Sequence, residues 1–482
     1  MSEGLRIAIA GASGFVGRAL VLALAQRYRV IALARSVAGQ PTAEGVTWRM
    51  CDLFNLRATE HALEGADVGV YLVHSMMPPA QLTQARFDDL DLICADNFAR
   101  ACAAHGVRHI VYLGGLLPRD ATHLSRHLAS RHEVERTLAA HGVPVTTLRA
   151  GLIIGARGSS FEMMTKLVRR LPVMVTPRWT STLSQPIALE DVIPLLELAV
   201  TAPDLAGRAY DIGGPDVVSY AEMLERTGRA LGRRIRVRTL PVRTANLSLL
   251  WVSAITGSPQ ALVRPLVESL SHDMVVTDGG ILQKRAGQRA QSLEVSIERA
   301  IADERRVPAT RETGPNGRRR RSSPRTVCSI QRLPLGRGRD ARWVAEEYMR
   351  WLPRFLSPLL HVTVEDAEVC RFFLRPLSAP LLELRLASER STADRQLFYV
   401  TGGLLVGKAE GVRPRLEFRV VLDGTFVLAA INDFVPRLPW LVYKFTQAVV
   451  HLWVMLAFGR HLTRERVGPT PDGRVAAAAP PE

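Results

Sequence analysis

A chain of 482 residues is longer than a single hydrophobic core usually organises, so its length predicts more than one domain. Its 47% hydrophobic and 22% charged residues exclude an intrinsically disordered protein. The five cysteines are scattered with no C-x-x-C pair, which argues against a disulfide framework or a structural zinc site and suits a reducing compartment.

The formal net charge of +16 raises the question of nucleic-acid binding, but the charge is unevenly distributed. Eight arginines and one acid lie between Arg305 and Arg325. Because no helix-turn-helix, zinc-finger or aromatic RNA-binding signature accompanies them, we expect no nucleic-acid partner. We interpret residues 306–325 as a solvated basic linker, with a tether to an anionic surface as the alternative.

The chain opens with an apolar strand, a glycine turn and a helix. The predicted cofactor-binding residues of this turn are Gly11, Ser13, Gly14, Phe15, Val16 and Gly17. Free backbone N–H groups and the positive end of a helix dipole can bind a pyrophosphate there. The spacing is G-x-x-G-x-x-G, unlike that of ordinary dehydrogenases, but the strand and helix around it favour dinucleotide binding over a plain tight turn.

A second strand, residues 29–35, ends in Arg35. NAD-binding folds place an acidic residue about here to hold the ribose 2′-hydroxyl. An arginine suits a 2′-phosphate instead, because of its charge and its planar fork of donors. NADP(H) is therefore favoured over NAD(H), with an exposed strand-end arginine as the alternative.

Two further strands end in polar residues, and the expected order then continues with a long helix from about Leu82 to His105 and a fifth strand. Ligands of wound parallel sheets bind outside the carboxyl ends of the strands. The additional cofactor contacts predicted on this ground are Asp52, Leu53, His74 and Ser75. From Gly4 to about Val145, short apolar runs alternate with longer helical ones, which predicts an α/β Rossmann-type, doubly wound parallel sheet.

Several motifs resemble those of the atypical short-chain dehydrogenases/reductases. They are Gly11–Gly17, Tyr71–Met76, Tyr112–Leu116, Leu124–Arg131, Pro144–Ala150, Ser159–Met163 and Gln185–Ala188. The family includes NmrA-like redox sensors and the NADPH-binding accessory subunit of respiratory complex I. The resemblance is closest to bacterial NAD(P)-binding oxidoreductase-like proteins with a C-terminal domain of unknown function. It implies an extended reductase-like domain over residues 1–305, with a substrate-capping half from about residue 155.

The sequence departs from this family at the catalytic residues. Active members use Tyr-x-x-x-Lys on a helix, where the lysine lowers the tyrosine pKa for proton transfer, together with a serine or threonine after the fifth strand. This chain has His127 and Arg131 in the first two places and Gly114-Gly115 in the third. Residues i and i+4 share one helix face, so His127 and Arg131 are the candidate catalytic pair. We favour a structural or cofactor-contacting role for His127 over an acid/base role.

The capping half carries a candidate pocket wall. Phe161, Met163 and Met164 could line it together with the Pro-Arg-Trp corner that ends at Trp179. A packed core is the alternative explanation for such apolar residues.

After the linker, residues 326–465 alternate in short strand-like segments between a helix at Ala341–Leu352 and a long helix from Pro439 to about Leu462. This pattern predicts an α+β antiparallel-sheet domain, with the helix-grip fold of START-like lipid-binding domains as its candidate architecture. Lys444, Gln447 and His451 fall at i, i+3 and i+7 of the last helix. We expect this polar stripe to mark a core helix, with a membrane span and interfacial membrane contact as alternatives. Residues 466–482 are expected to form a disordered tail.

Three functions remain open from the sequence. The first is an NADP(H)-dependent reductase of a hydrophobic carbonyl or quinone. The second is a catalytically silent NADP(H)-binding sensor or scaffold, and the third is a lipid or isoprenoid carrier built on the C-terminal domain. Because the first strand begins within a few residues of Met1, no secretory signal is expected, and we predict a cytoplasmic protein with peripheral membrane contact left open. The oligomeric state does not follow from the sequence.

Overall fold

The computed structural model describes residues 4–74, 82–118, 124–240, 272–306, 326–365, 368–407, 409 and 411–466. The predicted cofactor contact Ser75, nearly all of the basic linker and nearly all of the tail lie outside this range. The chain divides into two compact units. The first unit comprises Met1–Met76 and Asp91–Gly317, and the second comprises Met77–Leu90 and Arg318–Glu482.

The elements are numbered along the whole chain. The strands are β1 (Arg6–Ala10), β2 (Arg29–Ala34), β3 (Val46–Met50), β4 (Val68–Tyr71), β5 (Leu82–Gln84), β6 (His109–Gly115), β7 (Val145–Ala150), β8 (Ile153–Ile154), β9 (Val173–Pro177), β10 (Leu183–Ser184), β11 (Ile187–Ala188), β12 (Ala209–Ile212), β13 (Val218–Ser219), β14 (Arg236–Leu240), β15 (Val327–Pro334), β16 (Leu360–Glu365), β17 (Val369–Leu374), β18 (Leu382–Leu386), β19 (Arg395–Gly402), β20 (Arg415–Val421) and β21 (Phe426–Phe434). The helices are α1 (Phe15–Leu24), α2 (Leu56–Leu63), α3 (Phe87–Ala104), α4 (Arg126–Ala139), α5 (Ser159–Arg170), α6 (Leu189–Thr201), α7 (Tyr220–Ala230), α8 (Ile281–Ala286), α9 (Leu293–Arg306), α10 (Ala341–Phe355), α11 (Trp440–Phe445) and α12 (Gln447–Arg466).

The first unit is built on a seven-stranded sheet in the order β12-β7-β6-β4-β1-β2-β3, and every neighbouring pair in it is parallel. Apolar strand residues point alternately to both faces and form two separate buried clusters there. Helices α1 and α6 contribute to one cluster, and α2, α3 and α4 to the other. The predicted doubly wound α/β fold is confirmed.

The second unit has an eight-stranded sheet in the order β16-β17-β18-β19-β20-β21-β15-β5. All of its pairs are antiparallel except β15–β5. One face packs on α10 and α12, where Tyr348 lies between Phe418 and Phe458 at ring-centroid distances of 5.5 and 5.1 Å. The predicted α+β antiparallel-sheet domain is confirmed, with β5 as the one strand that pairs in parallel.

Two helix predictions were wrong in detail. The helix expected from Leu82 begins only at Phe87, because Leu82–Gln84 instead pair in parallel with β15 as a strand. The single helix expected from Pro439 is divided into α11 and α12 at Thr446, whose backbone leaves the helical region at φ −119° and ψ −82°. The Thr446 hydroxyl donates to the carbonyl of Val442 at 2.5 Å, a bond that competes with regular helix geometry.

Candidate functional site

The glycine turn between β1 and α1 has a backbone path that side chains would block. Gly11 has φ +86°, in the left-handed region that favours glycine. A Cβ on Gly17 would lie 2.1 Å from the Gly11 carbonyl oxygen, so α1 can approach the turn only with glycine there. The Gly14 N–H donates to the Gly11 oxygen at 2.9 Å, and Gly14 is the N-cap of α1. The turn is therefore a compact cradle at a helix N-terminus.

Three more predicted contacts lie at the same edge of the sheet. Strands β1, β2 and β3 are neighbours in parallel register, so Arg35 and Asp52 follow their strands at the edge where Gly11 follows β1. Both side chains are exposed. Asp52 accepts a bond from the Phe54 N–H at 3.2 Å, and the carbonyl of Leu53 accepts one from the Asn97 amide at 2.7 Å.

A cavity of about 440 Å³ opens beside the turn. Eight predicted site residues line it, namely Gly11, Gly14, Phe15, Val16, Gly17, His74, His127 and Arg131. Ser13, Arg35, Asp52 and Leu53 are not in its lining. Much of the remaining wall is apolar and comes from the capping half, with Met163, Met164, Leu167, Trp179, Met223, Leu224 and Met274. Of the predicted pocket wall, Phe161 packs instead in a buried core cluster.

Two histidines meet at the polar wall of this cavity. His74 follows β4 and His127 lies on α4, with ring centroids 5.0 Å apart in an edge-to-face arrangement. Burial, Arg131 and His74 together lower the pKa of His127 to about 2. Burial and Arg131 also lower the pKa of His74, although Asp91 opposes them. Both imidazoles are therefore neutral at physiological pH.

The same wall carries the cationic side chain of Arg131. Arg131 lies one turn after His127 on α4, whose N-cap Ser125 accepts a bond from the Leu128 N–H at 3.3 Å. Among the residues that the structure describes, no carboxylate forms an ion pair with the Arg131 guanidinium. The Tyr112 hydroxyl donates to the Arg131 carbonyl at 3.3 Å, which fixes α4 against β6. A fixed positive charge in an apolar cavity is suited to an anion or to an oxygen that gains negative charge.

Sequence reasoning missed several residues of this site. Asp91, on α3, is buried with its Oδ2 atom 3.4 Å from Nδ1 of His74 and 3.3 Å from the Ser130 hydroxyl. Tyr220 lines the cavity, and burial raises the pKa of its phenol to about 12. Two polar atoms of residues that the sequence did predict, Nε1 of Trp179 and Nδ1 of His127, are buried without a hydrogen-bond partner in the described structure. The acidic residues inside the otherwise apolar helix α3 were the only sequence signal that pointed to Asp91.

These features fit a dinucleotide cofactor. The glycine cradle leaves its backbone open at a helix N-terminus, and the first turn of α1 contains no acidic residue to repel a phosphate. Residues 11–170 match a family model described as NAD(P)H-binding. This stretch is an NAD(P)H-binding domain. The predicted relationship to NAD(P)H-binding reductase-like proteins is confirmed.

Three curated relatives resemble parts of the chain. The auxiliary protein GraX of Staphylococcus aureus is 29% identical over 30% of this chain, and the match spans less than half of its length, 43%. The (4-alkanoyl-5-oxo-2,5-dihydrofuran-3-yl)methyl phosphate reductase of Streptomyces griseus is 27% identical over 51% of this chain and 80% of its own. The ceramide reductase of Caulobacter vibrioides is 27% identical over 55% of this chain and 84% of its own.

Proposed function

We propose that the first unit is an NADP(H)-dependent reductase of a hydrophobic carbonyl or quinone. The observation that carries the proposal is the apolar cavity that borders the glycine cradle and contains the guanidinium of Arg131, with which no carboxylate of the described residues forms an ion pair. An apolar cavity with a few convergent polar groups is the usual form of a small-molecule site. Two relatives that are named reductases have substrates with an alkanoyl or ceramide chain in their names, which supports a substrate of this class.

Each polar residue of the cavity has a distinct part in this proposal. A bound NADPH would supply a hydride, and the glycine cradle would hold its pyrophosphate. Arg131 stabilises the negative charge that develops on the substrate oxygen. His127, with its pKa near 2, cannot store a proton at neutral pH, so it acts as a neutral hydrogen-bonding group and solvent water supplies the proton.

The Arg131→Gln variant tests this role. With a panel of long-chain ketones and quinones as acceptors, we expect the wild type to consume NADPH faster than without an acceptor. Arg131→Gln should lower kcat/KM about 100-fold, as loss of an oxyanion donor does. Arg126→Gln, an exposed position on the same helix outside the cavity lining, is the matched control and should keep wild-type rates. Equal rates in wild type and Arg131→Gln would contradict the role of Arg131.

The preference for NADP(H) rests on Arg35. It follows β2 at the sheet edge next to the glycine cradle, its side chain is exposed, and no ion pair or hydrogen bond of this side chain is found in the described structure. We expect Arg35→Asp to weaken NADPH binding far more than NADH binding, because only NADPH carries the 2′-phosphate. Calorimetric titration of both cofactors measures this, with Arg57→Asp, an exposed position on α2, as the control. An equal loss of affinity for both cofactors would show that Arg35 does not recognise the 2′-phosphate.

A silent NADP(H)-binding protein is the second candidate. It is favoured by the absence of the Tyr-x-x-x-Lys pair at His127 and Arg131 and by the low pKa of His127. NADPH that binds but is consumed no faster with any acceptor would support it. No comparable observation favours an internal lipid site in the second unit, because aromatic and aliphatic side chains pack between its sheet and α10 and α12.

A further inference from the structure

The closing helices of the second unit present an apolar surface to solvent. Seven large hydrophobic side chains there are 46–69% exposed. They are Leu441, Val442, Phe445, Val449, Val450, Trp453 and Leu456, and are called the exposed apolar face below. Soluble monomers rarely leave contiguous apolar patches uncovered unless they bind something.

Helix α12 is apolar on two opposite sides. At 100° per residue, Val449, Trp453 and Leu456 lie on one side, whereas Phe458 and Leu462 lie on the other and are buried in the core of the second unit. This arrangement corrects the prediction of a polar stripe, because Lys444 belongs to α11 and the outward side of α12 is hydrophobic. Trp440–Glu465 is long and apolar enough to cross a membrane by composition alone. A crossing would, however, remove Phe458 and Leu462 from their core.

The charged side chains of the sequence interval that contains this face all have one sign. No Asp or Glu occurs between Asp433 and Glu465. Four cationic residues lie in this interval, Arg437, Lys444, Arg460 and Arg464, and all four are exposed. Lys444 Nζ lies 5.6 Å from the ring centroid of Phe445. Exposed Trp, Phe and Leu beside Lys and Arg are the composition of helices that lie in the interface of an anionic membrane.

Charge also argues against a second copy of the chain as the partner. The cations stand at both ends of the exposed apolar face, with Arg437 and Lys444 at one end and Arg460 and Arg464 at the other. Self-pairing in either direction would therefore place like charges against each other.

We propose that the second unit binds the surface of an anionic lipid bilayer through the exposed apolar face. The apolar side chains insert at the level of the headgroups, and the four cations contact lipid phosphates. The buried half of α12 stays in the protein core, so the contact is peripheral and reversible. This inference does not depend on the reductase activity of the first unit.

Vesicle flotation of the full-length protein tests the proposal. We expect binding to vesicles of phosphatidylcholine mixed with phosphatidylglycerol, and much weaker binding to phosphatidylcholine alone or at high salt. Trp453→Glu and Phe445→Glu should each lower binding about tenfold or more, since each replaces an inserted ring by a repelled charge. Lys444→Gln and Arg460→Gln should each lower binding about fivefold.

Leu359→Glu is the matched control, because Leu359 is 58% exposed in the same unit and lies outside the exposed apolar face. It should float like the wild type, and the circular dichroism of all variants should be unchanged. Failure of the wild type to float with anionic vesicles would overturn the proposal, as would equal flotation of Trp453→Glu and Leu359→Glu. A dimer in solution that Trp453→Glu converts to monomer, without vesicle binding, would identify the face as a self-interface and also overturn it.

Discussion

The residue that shows best how burial changes chemistry is His127. It stands where the resemblance places a tyrosine in active enzymes, and its ring is buried beside the fixed charge of Arg131. Each of these disfavours the imidazolium form. The residue that sequence alone offered as a proton carrier is therefore held neutral, and Arg131 becomes the charged group of the site.

This neutral state makes His127 a source of acid sensitivity. An unfolded histidine titrates near pH ~6.5, whereas the folded pKa of His127 is about 2. Between these two pKa values, His127 binds a proton in the unfolded chain but not in the folded protein. The free energy of unfolding is therefore highest above the unfolded pKa of His127, and it decreases as the pH falls from there toward the folded pKa. Between about pH 7 and pH 5, we expect the unfolding free energy of the wild type to decrease. In His127→Gln the decrease should be smaller by about 1–2 kcal/mol, because the titrating imidazole is absent.

Urea titrations at both pH values measure this difference. His61→Gln is the control, because the His61 side chain is 82% exposed and stands outside the cavity. An identical loss in the wild type and in His127→Gln would show that His127 takes up its proton in the folded state.

The glycine turn was predictable because its constraint is local. Gly11, Gly14 and Gly17 are three residues apart, and the strand and helix around them are adjacent in sequence. Asp91 and Tyr220 were not predictable as site residues, because only the tertiary fold brings Asp91 beside His74 and Tyr220 to the cavity. Sequence patterns describe neighbours along the chain and do not show which side chains from distant parts of the sequence line the same cavity.

At the scale of elements, β19 and β20 share a buried charge network. Glu417 accepts a bond from Arg395 at 2.7 Å and another from Arg419, and all three residues are at most 5% exposed. Burial by itself would raise the pKa of Glu417, but Arg419 and Arg395 outweigh burial and lower it to about 2. The carboxylate therefore stays charged across the physiological range.

Removing this carboxylate should destabilise the second unit strongly. Glu417→Gln removes the buried carboxylate that the Arg395 and Arg419 guanidinium groups share, and breaking a buried ion pair typically costs about 3–5 kcal/mol. Chemical denaturation monitored by tryptophan fluorescence measures the loss. Glu346→Gln, an exposed position on α10, should change stability by less than about 0.5 kcal/mol. A Glu417→Gln variant as stable as Glu346→Gln would mean that water reaches and solvates the network.

Elements differ in how far their sequence determines them. In–out alternation indicated the strands of the second unit, since each has one face in the core. Leu82–Gln84 gave no such signal, because their strand exists through pairing with β15 more than 240 residues later. The break at Thr446 gave no signal either, because no Gly or Pro occurs between Trp440 and Phe458.

At the scale of the whole molecule, the two units carry separate proposals. The first combines an NAD(P)H-binding domain with an apolar cavity, and the second presents an apolar, cation-bordered face. Together the two proposals describe a reductase of hydrophobic substrates whose second unit contacts a membrane surface. The reductase claim is central, because the residues that perform catalysis in related enzymes are replaced here.

The most direct test of that claim follows the hydride itself. The full-length protein is incubated with NADPH deuterated at the transferred C4 position and a panel of long-chain ketones, and products are analysed by mass spectrometry. We expect an alcohol with one deuterium on the former carbonyl carbon, and far less of this alcohol with Arg131→Gln. Saturating NADPH binding without deuterium in any product of the panel would contradict it.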